Sequence, residues 1–261
     1  MRLSSTTGHN TDFSMSRARL LRAYLQEIRA ELLRYLRMPS YAVPTLVFPA
    51  LFYLLFAVLI GSPGRDAARM LLAGYTTFGV MAPGLFGFGI ALAMERENGL
   101  LQLKRALPAP AYAYPVGKMA MAMLTSGLIA VFLGLLAVGV AAVELSLLQC
   151  VRLLLVAMLG ALPFCALGLL IGCLIKGQGA IALTNVVYLP MAVLSGLWFP
   201  LKLLPPLLQQ WAVLWPAHHL HQLARWALEL PVAQVWPHVL WLMVFTVAAT
   251  ALAGWRLRRY G

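Results

Sequence analysis

The sequence predicts an all-α integral membrane protein, and three observations carry that reading. Of 261 residues, 62% are hydrophobic and 11% are charged, whereas water-soluble domains carry about a quarter charged residues. Six runs are apolar over about the 20 residues that a helix needs to cross a bilayer. The runs do not alternate as barrel strands do, and lipid offers the backbone no hydrogen-bond partners, so the spans must be helices. No repeat or low-complexity segment appears, and one membrane domain over residues 16–261 accounts for the chain beyond its first residues.

Residues 1–15 contain no apolar core, which argues against a signal peptide and for a mobile tail. Ser16 to Met38 reads as an amphipathic helix. Leu21, Tyr24, Leu25, Ile28, Leu32 and Tyr35 form one stripe at 3.6 residues per turn, with Arg19, Arg22, Arg29, Arg34 and Arg37 on the other side. Next to a first span, such a helix lies in the membrane interface with its arginines towards lipid phosphates. Pro39 ends it.

The expected spans are Tyr41–Ile60, Met70–Met94, Val116–Val143, Leu153–Ile175, Ala180–Phe199 and Trp236–Trp255. The second is rich in glycine, with Gly74, Gly79, Gly84, Gly87 and Gly89 around Pro83. The fourth carries Gly168 and Gly172 in a GxxxG spacing, a weak signal for close helix packing. Between the fifth and sixth spans, Pro200, Pro205, Pro206, Pro216 and Pro231 cut an apolar stretch into pieces too short to cross. Short surface helices are expected there. Trp198, Trp211, Trp215, Trp226 and Trp236 suit an interfacial belt.

Net charge is +12. An even number of spans puts both termini on one side. That side then holds 15 of the 20 Lys and Arg: seven before Pro39, four between spans two and three, Lys176, and Arg256, Arg258 and Arg259. Arg65, Arg69, Arg152, Lys202 and Arg225 fall on the other. The positive-inside rule places both termini in the cytoplasm, and the basic excess reads as an orientation signal, not as nucleic-acid binding.

Several chemistries are absent from the sequence. Ionisable groups stand only near span ends, at Lys118, Glu144 and His238, so the carboxylate or histidine relay of an ion-driven pump is missing. Gly117-Lys118 lacks the rest of a phosphate-binding loop. Cys150, Cys165 and Cys173 have no metal spacing and read as small buried apolar residues. His218, His219 and His221 have no acid or cysteine close by and read as interfacial, so no metal is expected. Thr76, Thr77, Thr125, Ser126, Thr184, Asn185 and Tyr188 can bond between helices, and Thr76, Thr77, Thr125, Asn185 and Tyr188 are candidates to line a substrate path.

The remaining feature is a charged, proline-containing island from Ala93 to Met119. Glu95 and Glu97 precede Gly99, then leucines alternate with Gln102, Lys104 and Arg105 until Pro108 and Pro110. A short helix with both charge and leucine is a docking surface for a soluble partner; a merely solvated loop explains the charges but not the leucines. The run Glu95-Arg96-Glu97-Asn98-Gly99-Leu100-Leu101 through Pro108-Ala109-Pro110, followed by Gly117-Lys118, resembles the cytoplasmic motif of the permease subunits of type-2 ABC exporters. A second stretch, "LPMAVLSGLWFPLKLLPPLLQQWAVLWPAHHL", is also similar to that family, and the resemblance runs from about Arg17 to Arg259. Leu100 and Gln102 stand where many members have threonine and glutamate, which is closer to the drug- and antibiotic-export branches.

The resemblance implies a plasma-membrane (inner-membrane) permease with no cofactor of its own. It implies a separate cytoplasmic ABC ATPase carrying ATP and Mg²⁺, a second permease copy, and export of a lipophilic substrate such as a drug, antibiotic or lipid. Glu95, Arg96, Glu97, Gly99, Leu101, Lys104 and Pro108 would couple the ATPase to the spans. Export of a polysaccharide or other glycoconjugate, an ATPase-independent channel or carrier, and a membrane-embedded metalloenzyme are the other readings.

Overall fold

The computed structural model describes residues 17–60, 65–100, 112–175, 177–198 and 204–260, with the single residues Leu103, Pro110 and Leu201. All its regular elements among these residues are helical. Helix α1 is Arg17–Leu36, within two residues of the expected interfacial helix. Helix α2, Pro39–Leu54, starts on a proline, whose missing N–H is not needed at a first turn. It widens into a π-helical turn at Leu55–Leu59.

The second span is α3, Arg65–Ala82, then a π-helical stretch at Pro83–Ile90, then α4, Ala91–Glu97. Pro83 cannot donate to the helical ladder and its ring crowds the preceding turn, which accounts for the widening. The remaining elements are α5 (Ala113–Gly139), α6 (Leu147–Leu174), α7 (Gln178–Leu194), α8 (Pro206–Ala212), α9 (Pro216–Ala227) and α10 (Trp236–Tyr260). Helix α6 begins with a capping box in which Ser146 and Gln149 satisfy each other's backbone N–H.

Five described stretches are long and apolar enough to cross a membrane: Pro39–Leu59, Asp66–Glu97, Ala113–Gly139, Leu147–Leu174 and Trp236–Arg256. The expected fifth span is shorter than the sequence suggests. It was expected to run to Phe199, but α7 ends at Leu194 after 17 residues. Gly196, at φ +75°, closes a Schellman motif: its N–H bonds the Val193 carbonyl and the Leu197 N–H bonds the Ala192 carbonyl. A glycine inside an apolar run therefore marks a stop, and 17 residues is the lower limit for a crossing helix, about 17–25. The third span also stops early, at Gly139 instead of Val143, because Val143 N–H turns back onto the Ala137 carbonyl and Ala142 takes φ +50°.

The π-helical stretch of the second span lies backbone to backbone on α6. A Cβ added at Gly84 would sit 2.7 Å from the Cys165 nitrogen, and one at Gly89 would sit 2.8 Å from the Gly168 Cα. In return, a Cβ at Gly172 would sit 2.6 Å from the Gly89 carbonyl oxygen, and one at Gly168 would strike the Gly84 carbonyl. Gly84 and Gly89 of the second span and the GxxxG pair are thus two halves of one contact, where dispersion replaces the hydrophobic drive that lipid does not supply.

Helices α8 and α9 are too short to cross, at 7 and 12 residues. Trp211 and Trp236 are exposed, as an interfacial belt requires. Trp198 is not part of such a belt: it stacks on Phe52 at 5.6 Å and meets Phe78 edge-on at 5.5 Å. Cys165 and Cys173 are buried, but Cys150 is exposed at the start of α6, against the expectation for all three.

Candidate functional site

Glu95, Arg96 and Glu97 close the second span, and each reaches a different part of the bundle. Glu95 is 6% exposed and its Oε1 lies 2.5 Å from Arg34 Nη1 of α1 and 3.4 Å from Lys118 Nζ of α5. Arg96 donates from Nη1 to the Gly172 carbonyl at 2.7 Å. That carbonyl belongs to the last turn of α6, where helical acceptors lack partners and a cation complements the helix dipole. The Glu97 carboxylate packs against the Cα of Gly177, in the turn between α6 and α7. The Gly177 N–H also bonds the Ala93 carbonyl at 3.4 Å, and Gly177 takes φ +57°.

An ion cluster lies beneath Glu95. Lys118 Nζ sits 3.0 Å from Glu31 Oε2, with 1% and 3% of the two side chains exposed. Arg34 Nη1 also lies 3.4 Å from Glu31 Oε1. Among the described residues, two carboxylates meet two cations, and pairing of this kind offsets the cost of burying charge. Lys118 lies 5.1 Å above the Tyr114 ring centroid. Burial works against the Arg34 charge, but Glu31 and Glu95 outweigh it and raise its pKa above the ordinary arginine value.

Glu31 was legible only in hindsight. It sits on the α1 stripe between Ile28 and Tyr35, where a carboxylate interrupts an otherwise apolar face. That face packs on α5, and Glu31 and Tyr35 are its buried residues. Leu21 and Leu25, at the far end of the stripe, are exposed, as an interfacial helix would present them to lipid.

Gly99 stands just past α4 at φ +70°, the left-handed position that favours glycine after a helix. Leu100 and Leu103 are exposed at 45% and 65%. Leu101, Lys104 and Pro108 lie outside the described residues, as does the expected tail at 1–15.

Of the candidate path residues, most are internal to the chain. Thr77 and Thr125 bond carbonyls of their own helices, at Ala73 (2.8 Å) and at Met121 and Ala122 (2.9 and 3.0 Å). Thr76 is 1% exposed, and Tyr188 donates to the Phe78 carbonyl at 3.3 Å. Asn185 alone among them faces outward, on the exposed side of α7 with Val186 and Leu189.

The histidines are core groups, not interfacial ones. His218, His219 and His221 are buried. His219 contacts the Val213 carbonyl through Nε2 and His238 through Nδ1, both at 2.8 Å, and stacks on Trp241 at 4.3 Å. Among the described residues, no group of three or more His, Cys, Asp or Glu is arranged to hold a metal ion.

Comparison with known proteins bears on this arrangement. The family model described as ABC-2 type transporter matches residues 23–229, from within α1 to just past α9. The chain belongs to the ABC-2 type transporter family. It is also 27% identical over 233 residues to "Putative transport permease YvfS" of Bacillus subtilis (strain 168), covering 88% of this chain and 95% of that protein. This ABC-2 protein is therefore an all-α, multi-pass membrane permease and not an enzyme. Membership implies partnership with an ABC ATPase in general.

Proposed function

We propose that this permease is the membrane subunit of an ATP-driven exporter and that the island following α4 is where a separate ATPase subunit acts on it. The observation that carries the reading is the Glu95-Arg96-Glu97 triplet. Three consecutive side chains tie the end of the second span to α1 and α5, to the end of α6, and to the turn before α7. A displacement of the island is thereby delivered to the interfacial helix and three further spans at once, and packed interfaces respond to small shifts by changing arrangement as a whole.

In this reading the chain crosses six times, α7 included, with both termini and the island in the plasma-membrane cytoplasm side, as its basic residues favour. ATP and Mg²⁺ bind the ATPase, not this chain. Gly99 lets the backbone turn out of α4, and Leu101, Lys104 and Pro108 belong to the docking element. The substrate is lipophilic, a drug, antibiotic or lipid taken from the cytoplasm or inner leaflet. The path lies between two permease copies, where Asn185 is the polar group on the outward face of α7.

The test is transport into proteoliposomes. Permease reconstituted with its ATPase should move lipophilic substrates only when ATP is present, and substrate should stimulate ATP hydrolysis. Transport by the permease alone would overturn the reading.

A further inference from the structure

A groove of about 780 Å³ runs between α6 and α10, with α9 at one end. Its volume falls within the ~300–1,000 Å³ of ordinary ligand sites. The walls are almost wholly carbon, with Leu155 and Leu159 on one side and Val239 and Met243 on the other. Leu155, Leu159 and Met243 are 52%, 57% and 61% exposed, so the groove opens sideways towards the bilayer.

Its length matches one leaflet. The lining runs from Arg152 to Pro163 on α6 and from Trp236 to Val247 on α10, about 16 Å along each helix at 1.5 Å per residue. Half of a ~30 Å hydrocarbon core is ~15 Å. Carbon walls of that length suit a flexible apolar chain.

One mouth is polar. Arg152, Trp226 and Trp236 stand there. Arg152 Nη1 pairs with Glu229 Oε1 at 3.2 Å, and its guanidinium lies 5.2 Å from the Trp226 ring centroid. Glu229 is itself held by Gln149 Nε2 at 3.0 Å and takes φ +59°, unusual for a residue with a Cβ. The arginine is thus fixed where the apolar walls end, with 31% of its side chain exposed. A guanidinium in that position binds phosphate with matched geometry.

We propose that this groove binds a glycerophospholipid of the surrounding bilayer, with an acyl chain between α6 and α10 and its phosphate on Arg152. The site is independent of the coupling site and of the direction of transport. The probe is phosphatidylethanolamine with a diazirine on the acyl chain, added to the purified permease in mild detergent and followed by native mass spectrometry. One lipid should survive detergent exchange, with cross-links concentrated on Leu155, Leu159 and Met243.

Arg152→Ala should lower retention about tenfold, and Arg152→Lys should keep part of it. Leu159→Trp, which fills the groove without touching the arginine, should abolish the acyl cross-links, while Leu135→Trp on the exposed face of α5 should leave them. Should Arg152→Ala fail to fold, the Trp pair decides alone. Cross-links spread evenly over Leu135 and the other lipid-facing positions would overturn the proposal. So would unchanged retention in Arg152→Ala, or a disulfide between two copies through Leu159→Cys.

Discussion

Glu31 of the interfacial helix and Lys118 at the head of the third span, 87 positions apart, meet at 3.0 Å with almost no exposure to solvent. Removing one partner of a buried ion pair strands the other and costs about 3–5 kcal/mol. Lys118→Met should therefore lower the thermal midpoint of the detergent-solubilised protein sharply. Lys118→Met combined with Glu31→Leu should recover part of the loss, since it strands one charge fewer. A loss in the double variant equal to the sum of the two single losses would mean that the pair is not coupled.

Gly168 has the Gly84 carbonyl where its Cβ would be, whereas nothing lies within 4 Å of a Cβ at Gly134. Gly168→Ala should cost about 1–3 kcal/mol through overpacking and reduce the yield of folded protein. Gly134→Ala should be neutral or slightly stabilising, because alanine favours helix. Size-exclusion profiles and melting curves of the two variants make the comparison.

The buried histidines set an acid limit. Burial, then the neighbouring His219, His238 and Arg225, lowers the pKa of His218 to about 4; burial, then Arg225 and His218, lowers that of His221 to about 3. The unfolded chain takes up these protons first, near pH 6.5. Their contribution to stability is whole above about 6.5 and is lost progressively as pH falls towards the folded values. Melting temperature should drop between pH 7 and pH 5, and His221→Phe should flatten that dependence.

The proposed six crossings would place the ends of α4 and α8 on opposite sides of the membrane. Asn98 is exposed just after α4. Gln209 donates to the Leu204 carbonyl at 2.7 Å, so the exposed Gln210 is the better probe at the other end. Cysteines at Asn98 and Gln210 should react with an impermeant maleimide from opposite faces in sealed vesicles. Reaction from the same face would contradict the topology.

Periodicity and apolar length made the helices legible, because lipid imposes one solution on the backbone. Their ends were less so. The stop at Gly196 depends on a left-handed turn that hydropathy does not register. The residues proposed for coupling were named from a motif, but what Glu95 touches was not legible: its partners Arg34 and Lys118 lie 61 and 23 positions away. Lys118 looked like a span-end charge, and nothing in the stripe around Glu31 pointed to it. The histidines were misplaced because burial comes from tertiary packing: His219 meets His238 and Trp241 of α10, which no local pattern ties to α9.

The island after α4 is proposed to join the permease to an ATPase. Leu101→Glu and Glu97→Ala test it most directly, by co-purification of the two subunits from membranes together with transport in the same preparations. Losing a buried apolar anchor costs an interface about 2 kcal/mol or more, whereas a rim charge affects orientation more than affinity. Leu101→Glu should release the ATPase from a permease that still folds and inserts, while Glu97→Ala should retain much of the complex but weaken substrate-stimulated ATP hydrolysis. Normal co-purification and normal transport in Leu101→Glu would contradict the account.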